Sequence, residues 1–301
     1  MEAKNMVAVI TGASHGLGKE MAFRFAAEGM AVVLAARDES LLRESVVEIR
    51  RRGGSASFIR TDISKSDDVR AMIEHAVKEF GGIDALINNA AVIWFGRSFD
   101  DPGEDVDALF RRIVETNIVG TWTCTRCALP FLKKNGGSIL NISSVHGHAG
   151  VPKSSAYAMS KGGMLALTKA LAVELAPFNI RANSISPGWI RVNLGDEVRA
   201  AYGEEVAREY LERFGDYEDD LLLLNQPLRR IGAPEDMSEL ALLLISDKGR
   251  FITGEDFAVD GGVLAMLAEP FRFDIDELWR VHKRGEEAKA WLSGFGKLKE
   301  D

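Results

Sequence analysis

The chain has 301 residues, 46% of them apolar and 27% charged, which is ordinary for a soluble globular protein with one full α/β core. The net charge of -8 argues against a nucleic-acid-binding surface, and the two cysteines build no disulfide framework and suit a reducing cytosol. The first residues lack the layout of a signal peptide, and no apolar run approaches the ~20 residues that span a bilayer, so we expect a cytoplasmic protein.

Short β-branched runs alternate with amphipathic helical stretches along most of the chain. The pattern predicts strands at Met6–Ile10, Ala31–Ala36, Ser57–Arg60, Ala85–Asn88, Ser138–Ile142, Arg181–Ile185 and Asp256–Val259. It predicts helices at Gly16–Glu28, Glu39–Arg52, Ser66–Phe80, Val106–Lys134 and about Ser155–Leu175. This alternation predicts an α/β fold with a doubly wound parallel sheet flanked by helices.

Two segments depart from the strand and helix alternation. Residues 194–224 are charged and helical in character, and residues 264–301 follow the last predicted strand. We expect a single domain over residues 1–263, with a substrate-loop region at about 193–225, and a helical C-terminal extension over 264–301. The extension is rich in aromatic residues, which either fold back on their own subunit or, as we expect, pack on a neighbouring one.

A glycine-rich turn lies between the first predicted strand and the first predicted helix. Gly12, Gly16 and Gly18 allow backbone N–H groups and a helix N-terminus to approach a ligand without a side chain between them. This arrangement suits a dinucleotide pyrophosphate. An ordinary glycine turn is the alternative, and the position directly after a strand argues against it.

A candidate catalytic group lies further along the chain. Tyr157 and Lys161 stand at i and i+4 of a predicted helix, so their side chains share one face. A nearby ammonium would lower the pKa of the tyrosine from its usual value of about 10, which suits a general acid or base. Ser144 follows the strand Ser138–Ile142, and the carboxyl ends of strands are where such sheets bind ligands.

Together these motifs resemble the classical short-chain dehydrogenase/reductase family from about Met6 to Val263. The resemblance implies a Rossmann-type sheet, a nicotinamide cofactor and a catalytic tetrad of Asn117, Ser144, Tyr157 and Lys161. In it, Ser144 hydrogen-bonds the reacting oxygen, Tyr157 exchanges the proton, and Asn117 helps hold a water that links Lys161 to solvent. The cofactor contacts implied are Gly12, Ser14, His15, Gly16, Leu17, Gly18, Arg37, Asp62, Ile63, Asn89, Ala90, Tyr157, Lys161, Pro187, Gly188 and Ile190. The chain departs from the family at Ala91, where Gly is usual, and at Val192, where Thr is common.

The end of the second predicted strand bears on the choice of cofactor. An NAD-selective enzyme usually places a carboxylate there, but this chain has Ala36 followed by Arg37, whose planar fork suits a 2′-phosphate. His15 could add a contact to the phosphate, and Asp38 is a rival ligand for the ribose. We therefore favour NADP(H), with NAD(H) as the alternative.

Fewer signals bear on the substrate. His146, Trp94 and Trp189 are candidates for the substrate pocket, as is His148, and loop or packing roles are the alternatives. Cys124 and Cys127 form a single C-x-x-C in a helix interior, so we expect packing thiols and no metal site.

The function that these residues favour is hydride transfer between NADP(H) and a carbonyl or secondary alcohol of the sugar, polyol, ketone or 3-oxoacyl type. A catalytically silent NADP-binding sensor or scaffold is the alternative, against which the intact tetrad argues. An epimerase or dehydratase would need a larger substrate domain and another glycine spacing. The expected partners are a small-molecule substrate and further copies of the chain, in a homotetramer or homodimer, with neither nucleic acid nor membrane.

Overall fold

The computed structural model describes residues 4–93, 99, 104–150, 153–191 and 226–266, with short helical pieces at 205–206, 208–210, 212–213, 283–284, 286–287 and 290–291. The chain divides into two compact units, Met1–Pro187 with Pro234–Val259, and Gly188–Ala233 with Asp260–Asp301. The expected boundary after residue 263 stays a prediction.

The first unit contains a seven-stranded sheet in the order β3-β2-β1-β4-β5-β6-β7, in which every pair of neighbours is parallel. The strands are β1 (Val7–Thr11), β2 (Ala31–Ala36), β3 (Ser55–Arg60), β4 (Ala85–Asn88), β5 (Gly137–Ile142), β6 (Ile180–Pro187) and β7 (Asp256–Val259). The helices are α1 (Gly16–Ala27), α2 (Glu39–Arg51), α3 (Ser66–Phe80), α4 (Glu104–Ile113), α5 (Thr121–Asn135), α6 (Ser155–Leu175) and α7 (Glu235–Ile245). The predicted Rossmann-type sheet is thus confirmed.

The strand order reverses between β1 and β4, and this reversal places the ligand-binding crevice. From β1 the chain winds outward to β2 and β3, then returns to β4 on the other side and winds outward again to β7. The loops after β1 and β4 therefore leave the sheet in opposite directions, which opens a crevice at the carboxyl edge of the sheet.

The predicted helix Val106–Lys134 is interrupted. A π-helical segment, Val114–Gly120, separates α4 from α5. A β-carbon on Gly120 would lie 2.9 Å from the carbonyl oxygen of Ile63, so only glycine allows this close approach. This close tertiary packing accompanies the break in the α-helical hydrogen-bond pattern. The helical periodicity of the sequence does not reveal such packing. Helix α7, between the substrate-loop region and β7, was not predicted.

The core lies on both faces of the sheet. All five residues of β1 are buried, as a strand covered by helices on both sides requires. Val9, Leu86, Ile139 and Ala182 pack with α3, α5 and α6 into one cluster, which also contains Cys124. Burial raises the pKa of the Cys124 thiol to about 12, so Cys124 is the packing thiol that the sequence predicts.

Two groups of contacts are seen in the second unit. Ile190 forms a parallel bridge with Gly232, and the Asp260 carboxylate accepts hydrogen bonds from the N–H groups of Gly262 and Leu264. The ring of Trp291 lies 6.3 Å from that of Tyr210, so this residue of the extension packs on the substrate-loop region of its own chain. The expected contact with a neighbouring subunit stays a prediction. Among the described residues, no helix is long and apolar enough to cross a membrane.

Candidate active site

The turn after β1 has the geometry of a phosphate cradle. Gly12 and Gly16 have φ of +66° and +54°, in the left-handed region that favours glycine. A β-carbon on Gly18 would lie 2.4 Å from the carbonyl oxygen of Gly12, so the turn folds tightly against the start of α1. His15 is the N-cap residue of α1, and its side chain makes no capping hydrogen bond. The first N–H groups of α1 are therefore not engaged by their own cap and suit the pyrophosphate of a dinucleotide.

Hydrogen bonds fasten this turn to the end of β4. The Asn89 amide donates to the carbonyl oxygens of Thr11 and Gly12, at 2.9 and 3.1 Å. The Thr11 hydroxyl accepts from the N–H groups of Asn89 and Ala90, at 3.0 and 3.1 Å. Asn89 thus supports the turn, because its amide donors already bond to the backbone. Sequence reasoning missed Thr11, whose role depends on a neighbour 78 residues away in the chain.

The end of β2 carries the residues that bear on cofactor choice. The Asp38 carboxylate accepts from the backbone N–H of Leu41 at 3.1 Å and so caps α2. One oxygen of this carboxylate is therefore engaged by the helix. Burial raises the pKa of Asp62, but hydrogen bonds from Ser64 and the charge of Arg37 outweigh it, so the pKa lies below its usual value. Arg37 therefore lies in the field of Asp62 at the same edge of the sheet.

Asn117 occupies the π-helical segment and is fully buried. Its Oδ1 accepts from the N–H of Val92 at 2.7 Å, and its Nδ2 donates to the Val92 carbonyl oxygen and to the Ser160 hydroxyl, at 3.1 and 3.0 Å. Ser160 in turn donates to the carbonyl oxygen of Tyr157 at 2.7 Å. Both amide protons are thus engaged within the protein. Ser160 links Asn117 to the first turn of α6, and no local pattern singles it out.

Ser144 and Tyr157 are brought together. Ser144 follows β5 and Tyr157 stands in the first turn of α6, yet the Ser144 side chain lies close enough to the Tyr157 phenol to oppose the rise in its pKa. Ser144 is the N-cap of a short 3₁₀ turn, Val145–Gly147, and its hydroxyl accepts from the N–H of His146 at 3.2 Å. The side chains of Ser144 and Tyr157 are therefore neighbours, and the oxygen of a substrate could meet both.

Lys161 is buried beneath this pair. Its Nζ donates to the carbonyl oxygen of Ile142 at 2.6 Å and lies 5.6 Å from the centre of the Tyr157 ring. Burial lowers the pKa of Lys161 to about 7. Gly147 leaves room for this packing, because a β-carbon there would lie 2.9 Å from the backbone carbon of Lys161.

In this state of the protein, the pKa of Tyr157 shifts in the direction opposite to the expected lowering. Burial raises the pKa of Tyr157 to about 12, and the hydrogen bond with Ser144 only opposes that rise. The physical reason is that both groups are buried. Desolvation penalises the phenolate, and it also discharges the ammonium that was expected to stabilise it.

The substrate candidate His146 lies beside Tyr157. Its ring meets that of Tyr157 edge to face at 5.7 Å, and burial lowers its pKa, which favours the neutral imidazole. Trp94 lies outside the described residues. Trp189 belongs to the second unit, where its carbonyl oxygen accepts from the N–H of Gly232 at 2.9 Å.

The remaining predicted cofactor residues belong to both units of the chain. Ile63 is buried in the core cluster, and Pro187 ends β6. Gly188 begins the second unit, where a β-carbon would lie 2.6 Å from the Cα of Asp260. Ser14 places its hydroxyl 3.0 Å from Nδ1 of His15, and Leu17 lies in the first turn of α1.

The fold and these groups together find counterparts among known proteins. Residues 12–264 match a family model described as enoyl-(acyl carrier protein) reductase. The chain is 37% identical to 3beta-hydroxysteroid dehydrogenase 1 of Eggerthella lenta over 265 residues, which cover 87% of this chain and 95% of that one. It is 35% identical to cyclopentanol dehydrogenase of Comamonas testosteroni over 260 residues, covering 86% and 97% of the two chains. A short-chain type dehydrogenase/reductase from Mycobacterium marinum is structurally similar, with a TM-score of 0.76, 35% identity and coverage of 88% and 98%.

This chain belongs to the short-chain dehydrogenase/reductase family. Members use a nicotinamide nucleotide, NAD(H) or NADP(H), and the chain is accordingly a dehydrogenase/reductase that acts on CH–OH or C=O groups. The turn around Gly12 and Gly18 fits such a cofactor, because it packs too closely for β-carbons at these two positions and the first N–H groups of α1 are not engaged by their own cap.

We expect Lys161→Met to stabilise the protein at neutral and low pH. The lysine has an ordinary pKa of 10.5 when unfolded and about 7 when folded, so the unfolded chain binds the extra proton between these values. Wild-type stability therefore falls as pH drops from about 10.5 to 7, whereas the methionine variant escapes this loss. One unit of pKa corresponds to about 1.4 kcal/mol, so the gain should exceed that amount at pH 7.

Denaturant unfolding of both proteins at pH 7 and pH 10 measures this difference. The advantage of the variant should shrink at the higher pH. An advantage that does not change between the two pH values would show that the amine is not desolvated in the folded protein.

Proposed function

We propose that this chain is an NADP(H)-dependent dehydrogenase/reductase that interconverts a ketone and a secondary alcohol, with Ser144, Tyr157 and Lys161 acting on the reacting oxygen. The observation that carries the proposal is that the Ser144 side chain acts on the Tyr157 phenol, whose ring centre lies 5.6 Å from Nζ of the buried Lys161. When bound, NADP(H) supplies or accepts the hydride.

The proton is the part of the reaction that the side chains handle. The raised pKa of Tyr157 keeps the phenol protonated at neutral pH, so in the reductive direction its O–H donates to the carbonyl oxygen as that oxygen gains negative charge. Ser144 donates a second hydrogen bond to the same oxygen and stabilises the charge while it develops. In the oxidative direction Tyr157 takes the proton back.

Lys161 stabilises the phenolate that Tyr157 becomes after it has donated its proton. Because the pKa of Lys161 is about 7, this amine takes up a proton within the physiological range at little cost. The ammonium form then lies close to the phenolate in a buried environment, where charges interact more strongly than in water. Asn117 positions the group through Ser160, which bonds to the backbone of Tyr157.

Arg37 is the residue that favours NADP(H) over NAD(H). Ala36 ends β2 without a carboxylate, and the carboxylate of Asp38 is engaged in capping α2. A guanidinium at this edge would bind the 2′-phosphate by charge-assisted hydrogen bonds.

For the substrate we propose a cyclic or other secondary alcohol and its ketone. Two relatives more than a third identical are named for cyclopentanol and for a 3β-hydroxysteroid, both of which carry a secondary alcohol on a ring. The neutral His146 edge-on to Tyr157 leaves one hydrogen-bonding ring in an otherwise apolar contact, which suits such a substrate. Oxidation of NADPH in the presence of cyclopentanone, a 3-ketosteroid, a 3-oxoacyl thioester and a keto-sugar tests this choice.

Tyr157→Phe should abolish nearly all turnover with whichever ketone of this panel reacts fastest. The change keeps the ring and removes the only O–H that can exchange the proton, so we expect a loss of at least about 100-fold in kcat. NADPH binding, measured by fluorescence titration, should change little. A variant that retains wild-type kcat would refute the proposed mechanism.

Arg37→Ala should weaken NADPH binding and leave NADH binding nearly unchanged. A charge-assisted hydrogen bond to the 2′-phosphate contributes about 1.5–3 kcal/mol, or roughly 10- to 150-fold in Kd. Arg51→Ala is the matched control, because Arg51 lies at the far end of α2, the helix that follows Arg37, and pairs with Glu48. An equal loss for both cofactors, or a wild-type preference for NADH, would count against the assignment.

The protein should also form a homotetramer or homodimer in the cytoplasm. Several described helices expose large apolar side chains, among them Trp122 on α5, Met159 and Val173 on α6. Light scattering at micromolar concentration should give two or four times the chain mass of 33.0 kDa. A mass of one chain would overturn this expectation.

A further inference from the structure

His148 anchors the end of the turn that carries Ser144. Its Nε2 lies 2.8 Å from Oδ2 of Asp256 on β7 and 3.2 Å from the hydroxyl of Ser186 on β6. His148 is also the C-cap of the 3₁₀ turn, where its N–H donates to the carbonyl oxygen of Val145. The same residue therefore closes the turn and ties it to the neighbouring strands.

The Asp256 carboxylate contacts three side chains. Its Oδ1 accepts hydrogen bonds from the hydroxyls of Ser184 and Ser186, at 2.5 and 3.0 Å, while its Oδ2 faces His148. Ser184 stands opposite Asp256 in the register of β6 and β7. The carboxylate is mostly buried, with 13% of its side chain exposed, so this contact is better shielded from solvent than an ordinary surface pair.

The other end of the turn is fastened to α6 and β6. The Ser143 hydroxyl donates to the carbonyl oxygen of Lys161 at 2.9 Å, and its N–H donates to that of Ile185 at 2.8 Å. Beyond His148 the chain continues into the exposed residues Ala149 and Gly150. His148, whose side chain is 34% exposed, thus holds the turn at the point where the chain reaches the solvent.

We propose that His148 and Asp256 are positioning residues for the reaction, which hold the turn so that Ser144 and His146 stay against Tyr157. This inference rests on the proposed function, because it assigns Ser144 and Tyr157 to the reacting oxygen. Without the anchor, the turn keeps its attachment at Ser143 but can rotate at its far end. That rotation moves the Ser144 hydroxyl relative to Tyr157, and small misplacements of this kind slow a reaction strongly.

Steady-state kinetics with NADPH and the fastest ketone of the panel test the proposal. We expect His148→Ala to lower kcat by about 10- to 100-fold, because the reacting groups lose alignment. The KM for NADPH should stay unchanged, because the glycine turn after β1 is not touched. His148→Gln keeps a hydrogen-bond donor towards Asp256 and should restore most of the rate. If His148 contributes to stability alone, His148→Ala should lower the melting temperature without lowering kcat at an unchanged KM.

A variant of Asp256, the partner of His148, provides an independent test. Asp256→Asn keeps an oxygen for the two serines and alters only the contact with His148. This variant therefore tests the positioning role even if His148→Ala fails to fold. It should lower kcat like His148→Ala, and the double variant should be no slower than either single one. His75→Ala is the matched control, because His75 bonds Ser57 at 3.0 Å between α3 and β3, away from the turn.

The outcomes separate this inference from the proposed function. Wild-type kcat in His148→Ala, or losses that multiply in the double variant, would overturn the positioning role while Tyr157→Phe remains inactive. If Tyr157→Phe itself retains turnover, the proposed function fails first. An equal loss in His148→Ala and His148→Gln would also refute the anchor.

Discussion

The active site depends on the burial of one amine. Lys161 is 2% exposed, and its Nζ bonds to the carbonyl oxygen of Ile142. Such burial is unfavourable for the charged form, so the folded protein lowers the pKa of Lys161 to about 7. Other features around it make the burial feasible: Gly147 leaves space, Ser143 bonds the backbone of Lys161, and the residues above it exclude water.

The same burial shifts the pKa values of Tyr157 and Lys161 in opposite directions. Tyr157 has a raised pKa and Lys161 a lowered one, so at neutral pH the phenol is a ready proton donor and the amine a ready proton acceptor. Pairs of groups whose environments push their pKa values in opposite directions are typical of acid–base sites. Burial of these two groups therefore costs stability, and the proposed chemistry uses the pKa shifts that this burial produces.

A framework of hydrogen bonds from distant strands holds this site in place. Thr11 and Asn89 join the turns after β1 and β4, Asn117 and Ser160 join the π-helical segment to α6, and His148 and Asp256 join the turn after β5 to β7. In each pair one partner follows or belongs to a strand or helix far away in the chain. The parallel sheet aligns the carboxyl ends of β1, β4 and β5 along one edge and so places the turns after these strands there, while α6 and the start of β7 supply Ser160 and Asp256.

The sequence by itself determined the class of fold and predicted the glycine turn, because these depend on local periodicity and short spacings, and its resemblance to the family supplied the predicted tetrad. The tertiary structure decided the burial and the hydrogen-bond partners of those residues. It broke the predicted helix Val106–Lys134 at Asn117, engaged Asp38 in capping α2, and reversed the expected pKa shift of Tyr157. Burial and hydrogen bonds between residues such as His148 and Asp256, 108 positions apart, arise only when the chain is folded, so no local pattern could reveal them.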